Sequence, residues 1–200
     1  MHLKAVHAKV EQMAVRHVVP DGSVELALSD SDVGFSLQEH ETWINEVLKT
    51  LKVGGVICFT GHPKSQLFEA DTRIRVRVFL AYRKGREDDS IALGDSIPFY
   101  KYNEECQPEG WFLIRVEETK DRMWWFQAMK EIVVRHSTEG GLVLDLFSGR
   151  GTGAFAAALQ GRCAVAVESD LQRIEAIRYR FERAKTEHDV VCNIYYGHEL

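Results

Sequence analysis

Two spacings of apolar residues alternate along this chain and predict an alternation of strands and helices. In residues 37–51 the apolar positions 37, 44, 47, 48 and 51 form the stripe of an amphipathic helix, which Gly54 and Gly55 are predicted to end. Short apolar runs are instead typical of buried strands. The predicted strands are residues 4–10, 24–28, 56–60, 73–82, 111–116, 142–146, 164–167 and 190–196. The predicted helices are residues 11–17, 37–51, 124–136, 154–159 and 171–185.

This alternation predicts one α/β domain over residues 1–200, with a mixed, mostly parallel sheet, helices on both faces and an antiparallel terminal hairpin. Within this domain we expect a first half over residues 1–80, a variable hairpin or loop region over residues 81–121 and a second half over residues 122–200, and we predict that residues 83–95 are an irregular surface segment. Hydrophobic residues make up 45% of the chain and charged residues 28%, which fits a globular protein rather than a disordered one. No apolar run approaches the ~18 residues of a membrane span, and residues 1–12 do not resemble a secretory signal. We therefore expect an intracellular protein that makes no contact with a membrane.

Charge and cysteine spacing change this picture in two respects. The net charge is −5, so binding to nucleic acid would require a local basic patch. The four cysteines include no CxxC pair, and no two histidines have helical ligand spacing. We therefore expect no metal.

A glycine-rich loop between a strand and a helix is the strongest local signal. Asp145 lies in the strand, and Gly149, Gly151 and Gly153 follow it, a pattern that brings backbone close to a ligand at a helix N-terminus. Glu168, the first acid after the next strand, would accept hydrogen bonds from the hydroxyls of a ribose. A dinucleotide requires the spacing GxGxxG, whereas S-adenosylmethionine (SAM) requires an acid ahead of the glycines. The pattern favours SAM and disfavours a nicotinamide-dependent oxidoreductase, and glycines needed only for packing are the alternative.

Several segments together resemble the DNA amino-methyltransferases, the N6-adenine and N4-cytosine methylases, in the permuted class whose catalytic motif precedes the SAM loop. Residues 145–153 (DLFSGRGTG) resemble the family's D-P-F-x-G-S-G-T-T, and residues 43–55 (WINEVLKTLKVGG) its W-L-x-E-x-x-R-V-L-K-P-G-G. The resemblance covers nearly the whole chain and implies a Rossmann-like, SAM-dependent methyltransferase fold, with Glu11 near the adenine of SAM. The implied SAM-binding residues are Glu11, Asp145, Phe147, Ser148, Gly149, Gly151, Thr152, Gly153 and Glu168.

The catalytic loop departs from the family. Where the family continues I-I-T-D-P-P-Y-G, this chain has Asp30, Ser31, Asp32 and Val33 before Gly34, so both prolines and the aromatic residue are absent. The family's Asp and a Pro carbonyl accept hydrogen bonds from the target amine, and its aromatic ring stacks on the flipped base. Asp30, Ser31 and Asp32 are therefore the candidate catalytic residues of a degraded motif. A solvated turn without a catalytic role is the alternative.

Other charged and aromatic positions have both a functional and a structural interpretation. Arg73, Arg75 and Arg77 alternate along one strand, with Arg83, Lys84 and Arg86 close behind, and could follow a phosphate backbone or protect an edge strand. Trp124 and Trp125, where the family usually has Lys-Pro, are predicted to be core or a lid on the ligand pocket. The basic residues of the last predicted helix are expected to form its solvated face: Arg173, Arg178, Arg180, Arg183 and Lys185.

The combined prediction is a methyltransferase-like protein that binds SAM but is catalytically degraded. We expect it to be a subunit of a larger nucleic-acid-associated assembly, with protein partners and with DNA or RNA as a further partner. The alternative is an active DNA or RNA amino-methyltransferase with an unorthodox catalytic loop.

Overall fold

The computed structural model of the chain describes residues 2–7, 19–30, 37–60, 75–91, 109–118, 123–187 and 193–197. The strands are β1 (His2–His7), β2 (Val24–Ser29), β3 (Leu51–Phe59), β4 (Arg75–Arg83), β5 (Trp111–Glu118), β6 (Leu142–Leu146), β7 (Cys163–Glu168) and β8 (Asn193–Gly197). The helices are α1 (Leu37–Thr50), α2 (Trp124–His136), α3 (Thr152–Leu159) and α4 (Leu171–Glu187). The predicted helix 11–17 lies outside the described residues.

The eight strands of the described residues form one mixed sheet in the order β5-β4-β3-β2-β6-β7-β1-β8. Six neighbouring strands of this sheet are parallel to one another: β3, β2, β6, β7, β1 and β8. At one edge of the sheet, β4 pairs antiparallel with both β3 and β5. The mixed, mostly parallel sheet predicted from the sequence is confirmed. Strand order reverses between β2 and β6, because the chain continues from β2 towards one edge and from β6 towards the other.

Helices cover both faces of the sheet, as predicted. On one face α2, α3 and α4 pack on the central strands, and Ile132, Ala157 and Phe181 contribute to this core. On the other face α1 buries Trp43 and Leu48 against strand residues that include Ile57 and Leu144. Each of these core side chains is at most 1% exposed. None of the described helices is long and apolar enough to cross a membrane.

The prediction that Gly54 and Gly55 separate a helix from the next strand is wrong. Helix α1 ends at Thr50, and β3 already begins at Leu51, so both glycines lie inside a strand. Gly54 has a φ of +84°, a value that favours glycine. Its N–H donates to the carbonyl of Lys84, and the N–H of Lys84 donates to that of Gly55. These bonds to a distant segment, which the local pattern does not reveal, extend the strand.

The segment that follows β4 is irregular but firmly attached to the domain. Asn45 in α1 forms two hydrogen bonds with the backbone of Ile91, whose side chain is buried. The carboxylate of Asp89 accepts a hydrogen bond from the hydroxyl of Tyr82. Lys84 is 1% exposed, and its Nζ donates to the carbonyl of Leu51 at 2.9 Å. The suggestion that Lys84 follows a phosphate backbone is therefore wrong, because its ammonium group is inside the protein.

Candidate functional site

The two acids of the candidate site lie at the carboxyl ends of adjacent central strands. Strands β2 and β6 are parallel, Leu28 pairs with Asp145, and Asp30 follows directly after β2. The N–H of Asp30 donates to the carbonyl of Leu146 at 3.4 Å, which joins the two strand ends. Ligands of open α/β sheets bind where the strand order reverses, and these acids lie at that point. The predicted adjacency of the two strands is confirmed.

Asp145 is a buried carboxylate with one strong backbone partner. It is 5% exposed, and its Oδ2 accepts the N–H of Ala154 at 2.7 Å. A Cβ on Gly153 would lie 2.6 Å from Leu28 Cδ1 and 2.9 Å from Asp145 Oδ1, so only glycine fits beside the carboxylate. Burial, with a contribution from the negative charges of Asp30 and Glu168, raises the pKa of Asp145 to about 7. Within the described part of the chain, no cation compensates this carboxylate.

Glu168, at the end of β7, holds the glycine loop through its carboxylate. Oε2 accepts the N–H of Gly149 at 2.7 Å, and Oε1 accepts the N–H groups of Ser169 and Asp170 at 2.8 and 3.0 Å. Arg173 lies 3.8 Å away from Oε2. A carboxylate has about four acceptor positions. Two ribose hydroxyls, as predicted, would therefore compete with the Gly149 N–H for this carboxylate.

The loop that connects β6 to α3 has an unusual backbone. Phe147, Gly149 and Gly151 have φ values of +52°, +56° and +71°. Positive φ is unfavourable for phenylalanine, and such strain is concentrated at functional sites in proteins. The ring of Phe147 packs edge-on against Trp43 with 5.4 Å between centroids. A Cβ on Gly149 would have no neighbour within 4 Å, whereas one on Gly151 would lie 2.9 Å from Ile177 Cγ1.

Two polar residues of the loop contact protein groups outside the acidic cleft. The Ser148 hydroxyl donates to the carbonyl of Val167 at 3.1 Å and ties the loop to β7. The Thr152 hydroxyl accepts a hydrogen bond from Arg180 at 3.0 Å, next to a cavity that lies apart from Asp145. Arg180 is half-buried, so its predicted place on a solvated helix face is wrong. The position of Arg180, one residue before the buried Phe181, is the sequence feature that could have predicted its partial burial.

The remaining candidates fall partly outside the described residues. Glu11, Ser31, Asp32 and Arg73 lie outside them. Arg75 and Arg77 belong to the part of β4 that pairs with β5, whereas β3 pairs only with residues 80–83 of β4, so both interpretations of these arginines stay predictions. Among the described residues, no group of three or more His, Cys, Asp or Glu is arranged to hold a metal ion.

Trp124 and Trp125 lie at the start of α2, as predicted from the sequence. Both side chains are half-buried, and their rings meet edge-on at 5.3 Å. Trp125 also packs edge-on against Phe79 of β4 at 5.9 Å, which joins it to the core.

Comparison with known proteins gives matches in sequence family and in fold. The DNA methylase family matches residues 126–179, which include the glycine loop and Glu168. A comparison with curated protein sequences gives no match.

Three solved structures illustrate the similarity in fold. The proposed DNA modification methylase TTHA0409 of Thermus thermophilus, complexed with SAM, is 17% identical with a TM-score of 0.56, over 97% of this chain and 99% of that one. The M1.HpyAVI–SAM complex is 13% identical with a TM-score of 0.52, over 90% and 98% of the two chains. The cytosine-N4-specific PvuII DNA methyltransferase is 13% identical with a TM-score of 0.51, over 98% and 95%.

Proposed function

We propose that this chain, which has the Rossmann-like fold of the SAM-dependent methyltransferases and a confirmed resemblance to the DNA amino-methyltransferase family, binds S-adenosylmethionine in the acidic cleft. The observation that carries the proposal is the meeting of Asp30, Asp145 and Glu168 at the ends of three neighbouring strands. SAM has a net positive charge, because it has a sulfonium and an ammonium group against one carboxylate. A ligand of this charge would offset the repulsion among the three acids.

The same electrostatics argue against a dinucleotide. A pyrophosphate on the glycine loop would bring negative charge close to the buried carboxylate of Asp145. The pKa of Asp145 is already raised to about 7 by burial and by two neighbouring acids. Further anionic charge would raise the free energy of the complex, whereas an ammonium group would lower it.

The described residues fit the parts of SAM. Open space beside Gly149 leaves room for a ligand on the loop. Asp145 would hold the ammonium group, and Glu168 would accept a hydrogen bond from a ribose hydroxyl. When bound, SAM supplies a methyl group on a positively charged sulfur. The protein's contribution is to fix the ligand and to exclude water from Asp145.

Calorimetric titration with SAM and S-adenosylhomocysteine tests the binding proposal. Glu168→Ala should reduce SAM affinity about tenfold or more, because a hydrogen bond to a charged acceptor contributes ~1.5–3 kcal/mol. Asp170→Ala is the matched control, since Asp170 caps α4 through the Gln172 N–H at 2.8 Å. It should cost about 1 kcal/mol of stability and leave SAM affinity unchanged. Absence of heat with the unmodified chain and either ligand would refute the proposal.

The second part of the proposal is that methyl transfer is degraded. The lone pair of an exocyclic amine is delocalised into the base, so transfer requires acceptors that localise it towards the methyl donor. Ser31 and Asp32 do not restrain the backbone as two prolines would, and Val33 cannot stack on a base. Loss of one such contact costs ~10²–10³ in rate. The isolated chain should therefore not methylate DNA or RNA above background.

A radiolabelled-SAM assay over mixed DNA and RNA tests this second part. Ser31→Pro, Asp32→Pro and Val33→Tyr together should restore measurable transfer if SAM binds. The second candidate, an active amino-methyltransferase, is favoured by one observation, the position of Asp30 beside Asp145 at the point of strand-order reversal. Robust turnover by the unmodified chain that Asp30→Ala abolishes would replace the degraded enzyme by the active one. Turnover only with a co-purifying protein would support a non-catalytic subunit in a nucleic-acid-associated assembly.

A further inference from the structure

A cavity of about 400 Å³ lies between α2, α3 and α4, apart from the acidic cleft. Gly153 of α3 faces Asp145, whereas Thr152 and Phe155 of the same helix line the cavity. Neither Asp145 nor Glu168 lines it. The cavity is therefore a second concave site, separated from the proposed SAM site by the first turn of α3.

One part of the cavity wall is apolar and aromatic. It consists of Met123, Trp125, Phe126 and Phe155. The rings of Phe126 and Phe155 lie 5.6 Å apart, and Trp125 is fixed against Phe79 of the core. These contacts hold the rings in place in the protein alone. They provide a preformed surface for a flat, apolar group.

The other part of the wall is cationic. Of the four arginines of α4, Arg180 is the one without a carboxylate within 4 Å among the described residues. Its guanidinium donates to Thr152 Oγ1 at 3.0 Å, which fixes its direction. Burial, and then the positive charge of nearby Arg150, lower the pKa of Arg180. Arg150 also forms no ion pair within the described part of the chain. Among the residues that the structure describes, two neighbouring cations, one of them half-buried, therefore lack an anion.

We infer that this cavity binds a nucleotide, with the phosphate on Arg180 and the base against the aromatic wall. The planar guanidinium matches the geometry of phosphate oxygens, and an anion would offset the repulsion between the two arginines. A neutral apolar ligand would fill the cavity but leave Arg180 uncompensated. The Glu187 carboxylate in the lining is paired with Arg183 at 2.6 and 2.9 Å, so it adds little repulsion. The inference does not depend on SAM binding.

Calorimetric titration of the full chain with adenosine monophosphate tests the inference. Arg180→Gln should weaken binding about tenfold or more, because it removes a charged hydrogen bond to the phosphate. Lys185→Gln is the matched control, since it removes one exposed positive charge from the same helix. It should change the affinity by less than about twofold. Equal losses in the two variants, or no binding by the unmodified chain, would overturn the inference.

Further titrations separate the contributions of the phosphate, the base and the source of the nucleotide. Arg150→Gln changes an exposed loop residue and should also weaken binding. It therefore replaces Arg180→Gln as the test variant if Arg180→Gln does not fold. Inorganic phosphate should bind more weakly than the nucleotide, and equal affinity would overturn the role of the aromatic wall. A single-stranded oligonucleotide of about eight residues that binds more tightly, with the same dependence on Arg180, would assign the site to a nucleic-acid strand. If the oligonucleotide binds no more tightly than the mononucleotide, the ligand is a free nucleotide.

SAM distinguishes this inference from the proposed function. Arg180→Gln should leave SAM affinity unchanged, and SAM should not displace the nucleotide. Competition between the two ligands, with equal weakening by Arg180→Gln, would mean that the cavity is part of the SAM site. Nucleotide binding without SAM binding would refute the proposed function and leave the second site standing.

Discussion

The buried carboxylate of Asp145 should make the folded protein less stable as the pH rises towards neutrality. Its pKa is 3.8 in the reference state and about 7 in the folded protein, where burial is the main cause of the increase. The folded state therefore binds more protons than the unfolded state between these two values. The stability contributed by the protonated form is complete below the lower value and is lost as the pH rises through the higher one.

The size of the effect follows from the two pKa values. One unit corresponds to about 1.36 kcal/mol, so a rise of about three units corresponds to a loss of about 4 kcal/mol across the whole range. Between about pH 5 and about pH 8 the expected loss is about 2.5 kcal/mol, because part of the range lies below pH 5. Asp145→Asn cannot ionise and avoids this loss. Its amide oxygen can still accept the Ala154 N–H.

Urea unfolding of the unmodified chain and of Asp145→Asn at both pH values measures the effect. The stability of the variant relative to the unmodified chain should be about 2.5 kcal/mol higher at about pH 8 than at about pH 5. For a urea m-value of about 2–3 kcal/mol/M, the difference between the two midpoints should change by about 1 M. Comparing differences at two pH values cancels the direct effect of replacing an oxygen by an amide nitrogen.

Glu25→Gln is the matched control for this measurement. Burial alone would raise the pKa of Glu25, but its hydrogen bonds with Lys52 and Thr138 lower it overall. Its contribution to stability is therefore nearly constant between about pH 5 and about pH 8, since both lie above its reference pKa of 4.5. If the Asp145→Asn difference also stays constant within about 0.5 kcal/mol, the raised pKa of Asp145 is refuted.

Three further predictions concern named contacts in the fold. The stability deficit of Glu25→Gln should shrink as the pH falls below 4.5, because the salt bridge of Glu25 with Lys52 at 2.8 Å is lost on protonation; acid titration followed by circular dichroism measures this. Gly151→Ala should destabilise the fold by more than Gly149→Ala in urea unfolding. Both residues have positive φ, which costs about 1–2 kcal/mol for alanine, but only the first would press on Ile177. Lys84→Met should be less destabilising than Lys84→Ala. Both variants lose the hydrogen bond to Leu51, but alanine also leaves a cavity that costs about 2–5 kcal/mol; equal urea midpoints of the two variants would contradict this.

The spacing of apolar residues and glycines along the chain was enough to predict those helices and strands whose ends are set by neighbouring residues. Helix α2 and strand β6 have the predicted bounds, because the periodic apolar residues and the glycines near their ends coincide. The start of β3 was mispredicted because it depends on backbone hydrogen bonds between Gly54–Gly55 and Lys84, about thirty residues away. The same distance hides the burial of Lys84, since a lysine after a strand normally indicates a solvated turn.

The chemical groups of the site could be predicted from the sequence, but the effect of these groups on one another's pKa could not. The glycine loop pointed to Asp145, and the first acid after the next strand pointed to Glu168; the topology brings both strand ends together with Asp30. The raised pKa of Asp145 depends on its burial and on two acids from other segments, which no local pattern contains. Arg180 was assigned to a solvated face because periodicity does not distinguish the flank of a buried stripe from its exposed side.

Two unfavourable features meet at the end of β6, and their position bears on the role of the loop. Phe147 adopts a left-handed conformation that costs about 1–2 kcal/mol for a non-glycine residue. Two residues earlier, Asp145 is a buried carboxylate whose ionisation opposes folding by about 4 kcal/mol above neutral pH. An amide at position 145 would remove the second penalty because it does not ionise, whereas a glycine at position 147 would remove the strain together with the ring that contacts Trp43. The penalty at Asp145 suits a binding site better than a packing turn, because a bound cation would recover it, whereas the Phe147–Trp43 contact offsets the strain at Phe147 within the fold itself.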